Sequence, residues 1–113
     1  ASDVYKRQDV IHVSVEVMPE FIGGTAALMK YLSSNIKYPT ISQETGSQGK
    51  VIVQFVVDKD GTISNPEVVR GVDPYLDKEA IRVISSMPKW TPGVQNGKKV
   101  RVKFTVPVSF RLQ

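Results

Sequence analysis

Residues able to do chemistry are present in this chain of 113, but they do not converge. His12 is its single histidine and cysteine is absent. A metal site, which needs several ligands at set spacing, and thiol catalysis therefore both lack their parts, and His12 reads as a surface or strand-edge residue. Asp58 and Asp60 begin like a calcium loop, but the closing glutamate and later ligands are missing. Followed by Gly61, they make a hairpin turn instead. Asp73 and Asp77 stand four apart, the spacing that puts two carboxylates on one helix face. Asp73 is followed by Pro74, however, which is the signature of a capping residue and a first helical position. Gly23 and Gly24 precede a helix and can offer free N–H groups to an anion. With no accompanying lysine or dinucleotide-binding pattern, a structural turn is the better reading. Asp77, Lys78 and Glu79 fall on the outer side of their helix, and Trp90 reads as a core anchor. The sequence points to no enzyme, no cofactor and no metal.

The remaining chemistry belongs to the backbone. Over 99–112 every even position is apolar and every odd one is polar, cationic or proline. A strict period of two places the two sets on opposite faces of a β-strand. The even face is expected in the core; the odd face, with Lys99, Arg101, Lys103 and Arg111, meets water. Pro107 has no N–H to give a neighbour, so the strand belongs at a sheet edge. If it is regular, its odd residues turn their main-chain groups to the free side. An edge left open in this way invites another chain to pair with it.

Composition supports a single modest domain: 41% of residues are hydrophobic. No apolar run approaches bilayer-spanning length, and no secretory signal pattern is present. The formal net charge is +4, much of it near the two ends. No RNA-binding, helix-turn-helix or zinc pattern accompanies it, so no nucleic-acid partner is expected.

The elements that must position the edge follow in order. Residues 1–9 show no periodicity and read as a disordered lead-in or linker, leaving 10–113 as the domain. Residues 10–17 alternate imperfectly, as an accessory strand. Over 25–35, Leu28, Tyr31, Leu32 and Ile36 form one helical stripe, with Gly24 or Thr25 as its cap. Residues 41–49 read as a polar connecting loop. Residues 51–57 are β-branched and apolar on both faces apart from Gln54, which suits a central strand. Residues 62–70 return as a second strand, with Pro66 demanding an edge or bulge. Leu76, Ala80, Val83, Ile84 and Met87 stripe a second helix that starts at Asp73. Asn96-Gly97 makes the turn into the final strand. Two of the three strands carry a proline, so the third lies between them. The predicted fold is α+β: a small antiparallel sheet of about three strands packed against two helices.

Several segments in this order resemble a known family. They are Met18-Pro19-Glu20-Phe21 with Gly23-Gly24, Asn35-Ile36-Lys37-Tyr38-Pro39, Gly49-Lys50-Val51-Ile52-Val53-Gln54-Phe55, Asp60-Gly61, Met87-Pro88-Lys89-Trp90 with Pro92-Gly93, and the closing Val-x-Phe-x-Val run. Together they are similar to the C-terminal domain of TonB energy-transducing proteins, over nearly the whole of 18–112. The resemblance implies a periplasmic domain from an inner-membrane-anchored protein of a Gram-negative bacterium. Its membrane helix, which associates with an ExbB–ExbD motor, and its proline-rich spacer would precede the present chain. It also implies binding of the TonB box of outer-membrane receptors as an added β-strand. Carried over by position, the partner-binding residues are Arg101, Lys103, Thr105, Val106, Pro107 and Ser109 on the last strand, with Asn35, Lys37 and Tyr38 beside it. Arg101 and Lys103 would attract acidic residues flanking the box. A second reading of the same edge is homotypic pairing into a strand-exchanged homodimer.

Overall fold

Proline placement sorts the strands. In the computed structural model, which describes residues 10–112, the proline-free strand β2 (Gly49–Val57) lies between β3 (Ile63–Arg70) and β5 (Lys98–Phe110). The lead-in expected over 1–9 lies outside the described residues. Both β2 pairings are antiparallel, and the β2–β5 ladder runs without a break from Gly49 opposite Phe110 to Val57 opposite Val102. On the other side Pro66 has the company it needs. The β2–β3 register shifts between Gln54 and Val56, and the neighbouring Asn65 takes a positive φ of 49°. Edge and bulge, the two ways a strand accommodates proline, thus occur together in β3.

Two short strands extend the sheet. β1 (Ile11–His12) pairs in parallel with β5, so the sheet is mixed. β4 (Gly93–Gln95) forms a hairpin with β5 across Asn96 and Gly97, whose φ values of 53° and 74° are those a tight two-residue turn requires. The accessory strand expected over 10–17 is therefore shorter than its sequence pattern. Only Ile11 and His12 pair as a strand, and Val17 bridges Val94 further on.

Among the described residues, three helices accompany the sheet: α1 (Gly24–Asn35), α2 (Thr40–Thr45) and α3 (Pro74–Ser85). α1 begins after Gly23 in the left-handed region, with no side-chain cap, where Gly24 or Thr25 was expected to serve. α2 replaces the predicted loop over 41–49. Its six residues are too few to show a helical period, and what fixes it lies elsewhere in the chain. The Ser42 hydroxyl is fully buried and donates to Asp73 Oδ2 at 3.0 Å, docking α2 on the start of α3. Asp73 caps α3 as its sequence suggested, its Oδ1 accepting from the N–H groups of Tyr75 and Leu76 at 2.8 and 2.7 Å.

The core lies between helices and sheet. Leu28 and Leu32 from α1 and Leu76, Ala80, Val83 and Ile84 from α3 meet the odd residues of β2 and the even residues of β5. Register explains the arithmetic: Val51, Val53 and Phe55 stand opposite Val108, Val106 and Phe104, so both sets point to one face. Each large side chain buried there contributes about 1.5–3 kcal/mol. Trp90 closes one end, edge-on to Phe21, Phe55 and Phe104 at ring distances of 5.2–5.7 Å. Its main chain is held by Gly61, which accepts from the Trp90 N–H at 2.8 Å. A Cβ at Gly61 would stand 2.0 Å from the Trp90 carbonyl, so only glycine fits this turn.

Candidate functional site: the outer edge of the last strand

The direction of each main-chain group on β5 follows from its neighbours. Val94 N–H donates to the Val17 carbonyl at 2.8 Å, and the Val94 carbonyl accepts from the Val17 N–H at 3.1 Å. Both groups of Val94 therefore point away from β5, and Lys99 opposite it turns its own groups away from β4. On the β2 side, Asp58 N–H donates to the Thr62 carbonyl at 2.9 Å, so even residues of β2 turn to β3 and odd ones to β5, and that ladder shows no register shift from Val102 to Phe110. Pro107 agrees with this phase. It stands opposite Ile52, and a residue without an N–H fits there only if that pair is one of the wide, unbonded ones. Even residues of β5 thus bond inward, and odd residues face out.

Among the described residues, only β1 pairs with that outer side, at Arg101 and Val102. Beyond it Thr105 and Ser109 each present a donor and an acceptor, while Lys103, whose N–H the parallel pairing of His12 engages, and Pro107 each present an acceptor alone. All four side chains are exposed and lie on the sheet face away from the core. Thr105 Oγ1 also accepts from Gln54 Nε2 across the ladder at 3.5 Å. A cavity of about 490 Å³ lies at the far end of the edge, between Gln48, Lys50, Ser109 and Leu112.

The structure separates the residues that the resemblance grouped. Val106 is 1% exposed, its side chain in the core and its main chain turned inward, so it has nothing to offer an outside partner. Arg101 is not the free cation expected: its Nε donates to Asp58 Oδ1 at 2.8 Å, and its backbone is paired with Ile11. Among the described residues, Lys103 and, on the neighbouring strand, Lys50 stand beside the edge without a salt bridge. Asn35 is used within the fold, its Nδ2 donating to the Tyr31 carbonyl at 2.8 Å and its own carbonyl accepting from Arg82 Nη2 at 2.9 Å. Tyr38 turns inward, edge-on to Phe110, with its hydroxyl donating to the Ser47 carbonyl. Burial and the negative charge of Asp73 both raise the Tyr38 pKa, so it stays a neutral donor. Lys37 keeps an exposed side chain, while its N–H donates to Glu79 Oε2 at 2.6 Å.

Glu79 is the polar residue that helical spacing misplaced. Expected on the outer side of its helix, it is 9% exposed and is held by Arg82 Nε and Nη2 at 2.6 and 2.7 Å as well as by Lys37. Burial alone would raise its pKa; the Arg82 hydrogen bonds and charge and the Lys37 N–H outweigh that and lower it. Asp73 behaves likewise: burial is overcome by the N–H of Leu76 and the hydroxyl of Ser42, and the net shift is downward. The one signal for Glu79 in the sequence is Arg82 three residues on. These contacts tie the Tyr-Pro segment to α3 and so hold the sheet's helical cover in place.

Comparison with known proteins agrees with this architecture. Residues 34–112 match the family model described as Gram-negative bacterial TonB protein C-terminal. A curated Haemophilus influenzae relative, Protein TonB, is 33% identical over 85 residues, covering 72% of this chain and 32% of that protein. The chain thus spans about a third of that relative's length. Two NMR solution structures of the Helicobacter pylori TonB C-terminal domain share the fold. One has a TM-score of 0.59 and 24% identity over 76% of this chain and 90% of its own. The other, a longer fragment, has a TM-score of 0.52 and 23% identity over 76% and 79%.

Proposed function

This chain belongs to the TonB C-terminal family, and from that premise we propose that it is the periplasmic receptor-binding part of an energy transducer. The outer edge of β5 takes up the TonB box of an outer-membrane receptor as an added strand. Force generated by an ExbB–ExbD motor at the inner membrane then reaches the receptor through that pairing. The observation that carries the reading is the run of outward main-chain groups from the Lys103 carbonyl through Thr105, Pro107 and Ser109, left open beside a packed core. Strand addition draws affinity from main-chain bonds and asks little of side chains, so one edge can serve many receptors. Each bond adds a net of only about 1 kcal/mol, but several loaded side by side share a pull.

Thr105→Pro tests this. It removes an outward donor from the centre of the edge and leaves the inward ladder intact. Binding of peptides copied from receptor N-termini, followed by amide-shift NMR, should fall at least tenfold with the melting temperature nearly unchanged. A collapse of the melting temperature would mean that odd residues bond inward, and the proposal would fail. Ultracentrifugation of the free protein over a concentration series examines the second use of the same edge. A monomer that binds the peptide excludes homotypic pairing as its function.

A further inference from the structure

One end of the β5 edge is already taken by the chain itself. Ile11 and His12 lie parallel to Arg101 and Val102 on the side opposite β2, which pairs with Val102 through Val57. They hold the upstream end of the edge that a receptor strand would use. The contact is short: Val13, the next residue, is 74% exposed and has left the sheet. Its root is firmer. Val17 exchanges two main-chain bonds with Val94, Glu16 N–H donates to Gln95 Oε1 at 2.9 Å, and Asn96 N–H donates to Glu16 Oε1 at 3.0 Å. A two-residue strand on a fixed root can lift from the edge without disturbing the β4–β5 hairpin below it.

We propose that β1 is a built-in competitor for the strand-addition edge: it covers the outward groups of Arg101 and the N–H of Lys103 in the resting domain and must lift before an incoming strand can use the full length. This inference rests on the strand-addition reading. Its consequence is a population effect. Only the fraction of molecules with β1 lifted offers the complete edge, and apparent affinity is reduced by that fraction. The few hydrogen bonds of so short a strand set the factor at roughly tenfold. The edge gained is useful, because Arg101 adds an outward donor and acceptor to a row in which Pro107 supplies no donor.

Two variants move β1 in opposite directions. With the Arg101 groups facing out, the parallel pairing engages the N–H of His12, so His12→Pro should release the strand. Conversely, Ile11 and Arg101 are register partners and the chain has no cysteine of its own. Ile11→Cys with Arg101→Cys can therefore lock β1 down by a disulfide across neighbouring strands. Both are titrated with a peptide copied from a receptor N-terminus, and separately with a peptide of the chain's own residues 9–17. The receptor peptide should bind His12→Pro roughly tenfold more tightly than the unmodified chain, and the oxidised double variant at least tenfold more weakly than its reduced form. Equal binding by oxidised and reduced protein overturns the competitor and leaves strand addition standing. If the receptor peptide binds no form, receptor strand addition itself fails and the chain's own peptide decides. Its capture by His12→Pro but not by the oxidised protein upholds the inference, and its failure to bind His12→Pro overturns it.

Discussion

Glu79 shows how a single side chain ties the helical cover to the rest of the domain. Its carboxylate, itself nearly buried, takes the Lys37 N–H and two Arg82 N–H groups. Glu79→Ala should therefore lower the unfolding free energy by about 1–3 kcal/mol. An exposed glutamate at the same position would be worth within about 0.5 kcal/mol, so urea denaturation separates the two cases. The pH dependence follows from the same contacts. Glu79 and Asp73 both have folded pKa values below those of the unfolded chain. As pH falls, the unfolded state takes up protons first, so the stabilisation is complete above the ordinary carboxylate range and is lost as pH drops through it toward the folded values. Stability should be flat near neutrality and decline below about pH 5. Glu79→Gln should flatten part of that decline in urea midpoints measured against pH.

At the scale of elements, the strand order was legible because proline and β-branching speak about edges and centres. β2 carries no proline and is apolar on both faces, and it lies in the middle. Pro66 and Pro107 mark strands that each leave one side without a long partner, and Asn96-Gly97 marks the hairpin turn. What the sequence concealed depends on partners distant in the chain. α2 is six residues long and is held by Ser42 on Asp73, thirty-one positions away. β1 and β4 are too short for a period of two to register, and they exist because β5 offers them a template. Arg101 looked like a free cation only because Asp58, on a turn forty-three residues earlier, is invisible to local patterning. Central burial of β2 has a direct consequence. Val53 is fully enclosed, facing Val106 and Val68, so Val53→Asp would place an unpaired charge in the core at a cost of several kcal/mol or more. The variant should be unfolded by circular dichroism at room temperature. A folded Val53→Asp would mean that β2 is not the middle strand.

For the molecule as a whole, charge and backbone divide the work of binding. The chain carries a net +4, and the cations beside the open edge are Lys50 and Lys103, with Lys98, Lys99 and Arg111 near its two ends. Arg101 adds little because Asp58 neutralises it. Exposed charges steer an encounter more than they hold a complex, and they act within a Debye length of about 8 Å at physiological salt. Main-chain bonds work the other way: they form after contact and set how long it lasts. On this reading the two kinds of substitution should separate kinetically. Lys103→Gln should slow association of an acidic-flanked receptor peptide severalfold at low salt, with dissociation nearly unchanged, and the difference should vanish as salt approaches 1 M, where screening reaches about 3 Å. Asp58→Asn should do the reverse by freeing the Arg101 guanidinium, raising the association rate and its dependence on salt. Stopped-flow measurements across ionic strength read both. If Lys103→Gln instead raises dissociation and leaves the salt slope untouched, its side chain is part of the bound interface, and the edge recognises more of its partner than backbone.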